Sequence, residues 1–127
     1  QTSSAQVGFV VAKDENRSSL HWQWAKGESN YAAKREAKRM LRKKGYERIS
    51  SQPCAEKCGH NLDSGYWVVV YSNYKIYDGT TKRGYGLGIS KSSYSEAKQR
   101  AVKNLSIYNW SWSESKHGYD IDKKGEI

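Results

Sequence analysis

Little in this chain resembles the usual stock of a hydrophobic core. Among 127 residues there is a single Pro, a single Phe and a single Met, and hydrophobic residues make up only 36%. No apolar run is long enough to span a bilayer, so no transmembrane segment is read. The two cysteines, Cys54 and Cys58, are too few for a disulfide-dense scaffold. Acidic residues are also scarce: 13 Asp and Glu stand against 22 Lys and Arg, a formal charge of +9. A field of that sign attracts acidic partners without choosing among nucleic acid, anionic lipid, glycan and protein. No signal peptide is read in these residues either. The polar start, Gln1 to Gln6, has no initiator Met and fits a mature chain trimmed of its leader, although an artificially trimmed chain would read the same. An extracytoplasmic protein, periplasmic, cell-surface or secreted, is expected.

Low hydrophobicity with high charge can signal disorder. Five Trp and ten Tyr argue against it here. Their rings bury large apolar areas and tolerate a wet edge. An aromatic, valine-rich core with alanine spacers is expected.

The chain repeats itself. Val7 to Ala12 reads as a strand, Asp14 to Ser19 as a turn, and Leu20 to Ala25 as a return strand with Trp22 and Trp24 on one face. A helix follows over about 30–44, with Ser29 or Asn30 as N-cap and Gly45 as its C′ glycine. The same order recurs: a strand Tyr66 to Tyr71, a turn with Asp78-Gly79, a strand Gly84 to Ile89, and a helix to about Tyr108. Ser93-Tyr94-Ser95-Glu96 reads as the capping box of that helix. Ala33, Ala37 and Leu41 match Ala97, Ala101 and Leu105 in i, i+4, i+8 spacing, one apolar stripe on each helix. Further strands are expected around Trp110 to Trp112 and Tyr119 to Ile121.

The expected fold is α+β: a single antiparallel sheet with two helices, built as a duplicated β-β-α unit plus C-terminal strands. One domain is expected over 1–127, with repeat one over 7–52, a Cys-containing link over 53–64, repeat two over 65–112 and a tail over 113–127. Gly86 and Gly88 leave space that rings such as Trp22, Trp24 and Trp67 could fill. The strand from Tyr66 is apolar on both sides, as a strand buried on both faces would be. With both helices on one face of the sheet, the other face carries an aromatic patch needing a cover. The tail, a second copy or a partner could supply it.

The first helix is the most charged segment. Lys34, Arg35, Lys38, Arg39, Arg42, Lys43 and Lys44 face only Glu36. Such a face is either merely solvated or tracks phosphates or an acidic partner. The candidate partner-binding residues are Lys34, Arg35, Lys38, Arg39, Arg42 and Lys43, with Tyr66 and Tyr71 from the two-faced strand. No zinc-finger, KH or RRM signature appears. Cys54, Cys58 and His60 form C-x₃-C-x-H. A zinc site needs four ligands, and His21 and His117 are isolated in sequence, so metal is the weaker alternative. A Cys54–Cys58 disulfide clipping the link is preferred for an exported chain. No cofactor is expected. Neither G-x-S-x-G nor H-E-x-x-H occurs, and the run from Gly84 to Gly88 lies within a strand rather than a phosphate loop. Asp63, Asp78, Glu114, Asp120 and Asp122 fall mostly in turns and form no catalytic pattern, so no enzyme is expected. Asn16, Asn104 and Asn109 each open an N-glycosylation pattern.

These features together resemble the bacterial exported family named domain of unknown function 4189. The residues carrying the likeness are His21-Trp22-Gln23-Trp24, Ala33, Ala37, Cys54, Cys58, Val68-Val69-Val70, Gly86-Leu87-Gly88 and Ala97 to Ala101. The first helix is far more basic than that pattern, and further cysteines that such repeats often carry are missing. The resemblance implies an exported accessory protein without known catalysis; some members of such families look like companions or inhibitors of secreted toxins. The leading expectation is therefore a non-catalytic extracytoplasmic domain recognising a protein partner. An immunity-type inhibitor of a secreted toxin or hydrolase comes next, then a basic-helix binder of nucleic acid or acidic polymer. The oligomeric state stays open.

Overall fold

The computed structural model describes residues 6–53 and 64–127. The first unit comprises β1 (Gln6–Lys13), β2 (Ser19–Gly27), α1 (Asn30–Lys43) and β3 (Ile49–Ser51). The second comprises β4 (Tyr66–Lys75), β5 (Thr81–Ser90), α2 (Tyr94–Tyr108), α3 (Glu114–His117) and β6 (Asp120–Glu126).

The α+β class stands, but the single sheet does not. There are two separate three-stranded antiparallel sheets, ordered β2-β1-β3 and β5-β4-β6. Each unit thus starts β-β-α and ends on a strand that closes the far edge, with α3 inserted before that strand in the second; the first strand of each is central. The third strand of the first unit, β3, is three residues long and carries no alternation that would announce it. Trp110 to Trp112 is not a strand. The described residues there form a turn leading into α3, a third helix, and only the expected strand near Tyr119 is realised, as β6.

Two separate sheets follow from where the apolar side chains point. Strand side chains alternate faces. Phe9 and Val11 of β1, with Trp22 of β2, meet Val69 of β4 and Tyr85, Leu87 and Ile89 of β5 in one cluster. That cluster lies between the sheets. The opposite face of the first sheet, with Val10, Ala12 and Ala25, receives Ala37 and Leu41 of α1. The opposite face of the second, with Val68, Val70 and Tyr74, receives Ala97, Ala101 and Leu105 of α2. The order of layers is α1, sheet, sheet, α2. The aromatic faces away from the helices cover one another, so the expected patch is closed mainly by the other half of the same chain. The tail contributes Ile127 to this core, a bond from the Trp22 indole to Asp122, and Gly125 against the Trp67 ring. Trp67 sits edge-on to Trp22 at 5.9 Å and to Trp24 at 5.6 Å, locking the units together. Such pairs add roughly 0.5–1.5 kcal/mol each beyond the area they bury.

The helices are specified locally. Ser29 Oγ accepts from Ala32 N at 3.0 Å and Ser93 Oγ from Glu96 N at 3.1 Å. The capping box is only half formed: Glu96 Oε1 instead accepts from the Ser90 hydroxyl at 2.6 Å, and Ser93 N donates to Ser90 Oγ. At the end of α1, Gly45 (φ +100°) donates to Arg42 O, and Tyr46 N reaches Leu41 O, the paired bonds of a Schellman stop. Gly86 and Gly88 are not covered by rings. A Cβ on Gly88 would lie 1.9 Å from Ala97 O, so it is the backbone of α2 that fills their space. Gly8 plays the same part under α1, where a Cβ would lie 2.3 Å from Lys34 N.

Candidate functional site

Because Ala33, Ala37 and Leu41 are fully buried, the rest of α1 turns outward. Arg35, Arg39 and Arg42 form the exposed ridge at i, i+4, i+7, with Lys43 exposed and Lys34 and Lys38 partly covered at the flanks. Arg35, Glu36, Arg39 and Arg42 line a shallow groove of about 410 Å³. Glu36 is already engaged. Arg39 Nε and Nη2 hold its two carboxylate oxygens at 2.5 and 3.0 Å. That hydrogen bonding keeps the Glu36 carboxyl below its usual range and raises the guanidinium of Arg39. Arg35 lies over the Tyr31 ring at 5.5 Å. The remaining cations of the face make no ion pair among the described residues. At Lys44 the helix meets His21, whose ring nitrogen is 3.4 Å from Lys44 Nζ.

The structure brings the six α1 cations onto one surface but does not add the two tyrosines to it. Tyr66 packs on the α2 side of the second sheet, its ring 4.7 Å from Tyr94, which Lys124 caps at 4.9 Å. Tyr71 lies at the inter-sheet core under the Arg83 guanidinium, 5.1 Å away. Both rings are taken up by packing in the second unit, layers away from α1. Cys54, Cys58, His60 and Asp63, and with them the disulfide and metal readings, lie outside the described residues. Among the described residues no three His, Cys, Asp or Glu side chains gather as metal ligands would. Asp78 accepts from Thr80, which depresses its carboxyl, and Asp122 accepts from Trp22 Nε1 at 2.8 Å. No helix among the described residues is long and apolar enough to cross a membrane.

A second surface escaped the sequence reading. Tyr77, in the β4–β5 turn, and Trp110, after α2, are 95% and 87% exposed and line a groove of about 490 Å³. The available signal was an aromatic next to a turn dipeptide, Asp78-Gly79, where no strand face could carry it to a core. Trp110 gave none, because its neighbour Trp112 is buried and the pair reads as strand.

Compared with known proteins, the chain matches no family model, no curated sequence and no solved structure.

Proposed function

We propose that this chain is a non-catalytic binding domain that works outside the cytoplasm and docks an acidic protein surface on the outer face of α1. One observation carries the reading. The face repeats cations at i, i+4 spacing, Lys34–Lys38, Arg35–Arg39, Lys38–Arg42 and Arg39–Lys43, with one carboxylate to relieve them. Like charges at that spacing weaken a helix. Interspersed signs would serve solubility better. A partner bearing carboxylates would turn this repulsion into attraction and speed encounter. A protein is favoured over single-stranded nucleic acid because stacking platforms are scarce on this face: Tyr31 is the one exposed ring of α1. The exported location is carried over from the sequence reading, where two cysteines four residues apart suit an oxidising compartment.

The test uses immobilised wild-type protein and a Lys38→Glu/Arg42→Glu variant against nuclease-treated envelope extract from the native host. The expected result is a stoichiometric acidic partner retained by the wild type, released by salt and lost from the variant, with unchanged melting. Equal retention by both proteins refutes the site. Retention found only in a parallel extract left without nuclease transfers the face to nucleic acid.

A further inference from the structure

The groove beside Tyr77 and Trp110 is built by three segments that the fold brings to one end of the sandwich: the β1–β2 turn, the β4–β5 turn and the loop from α2 to α3. Its volume, about 490 Å³, lies within the range of small-molecule sites. Trp110 is the one exposed tryptophan among the described residues. It is not a frayed end. On one side Asn109 is buried, donating to Leu105 O at 2.8 Å and packed on Gly84, where a Cβ would lie 2.6 Å from its side chain. On the other side Trp112 is buried, its N bonded to Asn109 O and its indole to Gly118 O. These anchors fix the backbone on both sides of Trp110 and leave its ring exposed.

The backbones of the other two segments are also tied down. Ile76 N and Thr80 O close the β4–β5 turn at 2.9 Å, with Tyr77 at its tip. Asp14 Oδ1 accepts from Asn16 N and Ser18 N, and Ser18 Oγ accepts from Arg83 N at 2.9 Å, which ties the first unit's turn to β5 of the second. The turn bonds of Asp14 and Asp78 all fall on Oδ1. Asp14, Asp78 and Lys82 line the groove together with the two rings, so carboxylate acceptors and an ammonium donor share its wall.

We propose that this groove is a saccharide site that takes a neutral pyranose. A pyranose presents an apolar C–H face and a rim of hydroxyls. The aromatic rings suit the face, and the carboxylate oxygens suit the rim. Asp14 and Asp78 stand with Lys82, and Lys13 lies near that lysine and near Arg17, so the charges at this end nearly balance and select no net charge, which a neutral sugar meets. A wholly apolar ligand would desolvate those carboxylates without pairing them. The preformed loops keep the ordering penalty of binding small. The site is independent of the α1 face.

The experiment is a titration of ¹⁵N-labelled full-length protein with cellohexaose, chitohexaose and maltohexaose. The readout is the indole cross-peak of Trp110, identified by its loss in Trp110→Ala. At least one sugar should shift that peak saturably. Trp110→Ala and Tyr77→Ala should each weaken binding by about tenfold with unchanged melting, since both rings are exposed. The Lys38→Glu/Arg42→Glu variant should bind the sugar normally. Failure of all three sugars to move the peak by about 10 mM overturns the proposal. So does equal affinity in Trp110→Ala.

Discussion

Gly88→Ala puts the seating of α2 on β5 to a sharp test. The added methyl would stand 1.9 Å from Ala97 O, 2.3 Å from Ala101 N and 2.8 Å from Arg100 C, all of them helix backbone. Ordinary contact begins near 3.4 Å, and no rotamer can relieve a clash between two backbones. The helix must therefore retreat by roughly 1.5 Å, in an interior packed too densely to absorb it. Retreat opens a gap above Ala97, Ala101 and Leu105, each of which is fully buried. Overpacking of this kind costs about 1–3 kcal/mol, and contact with backbone on several sides places it at the upper end. The stiffer unfolded chain offsets about 0.4–1 kcal/mol. The net expectation is a loss of about 2–2.5 kcal/mol, a large share of the roughly 5–15 kcal/mol typical of a domain. Urea unfolding followed by circular dichroism and Trp fluorescence should show a lower midpoint at constant slope. A variant within about 0.5 kcal/mol of wild type would mean that α2 does not lie on β5 in this way.

His21 supplies a pH prediction. Burial lowers its pKa from the ordinary 6.5, Lys44 and Lys123 push the same way, and Asp122 opposes them. The unfolded chain therefore takes up the proton first as pH falls. Stability should be fully present above about pH 6.5 and decline as pH drops through the lowered folded value. His21→Gln should flatten that stretch of the stability profile; an unchanged slope between pH 7 and 5 rejects the assignment. The three glycosylation patterns are separated by burial. Asn104 and Asn109 are 1% and 7% exposed and bonded inside, whereas Asn16 sits on an exposed turn. Expressed through a eukaryotic secretory pathway, the folded protein should carry glycan only at Asn16, and Asn16→Gln should remove the whole mass increment. Glycan at Asn104 would contradict its place beside Gln52 and Leu87.

Much of each unit could be read from short-range pattern. Ala33, Ala37 and Leu41 declare their burial by helical spacing, and Ser29 and Gly45 mark the ends of α1 by the bonds each can make. Other features were misread for a physical reason. Gly86 and Gly88 show that something comes close, but a glycine does not say whether a ring or a backbone fills its space. Trp110 and Trp112 share composition and differ only in what lies above them.

The duplication, the helix faces and the one-sided charge of α1 are properties of the sequence alone, since spacing along the chain sets which side chains share a face. The number of sheets is not. Trp67, Val69 and Tyr71 would look the same beside strands of one extended sheet or against the face of another. Only tertiary packing decided that β1 pairs with β3, that β4 pairs with β6, and that the two aromatic faces close on each other. The groove of Tyr77 and Trp110 has the same origin. Its walls are separated by tens of residues and meet only because the two units stack.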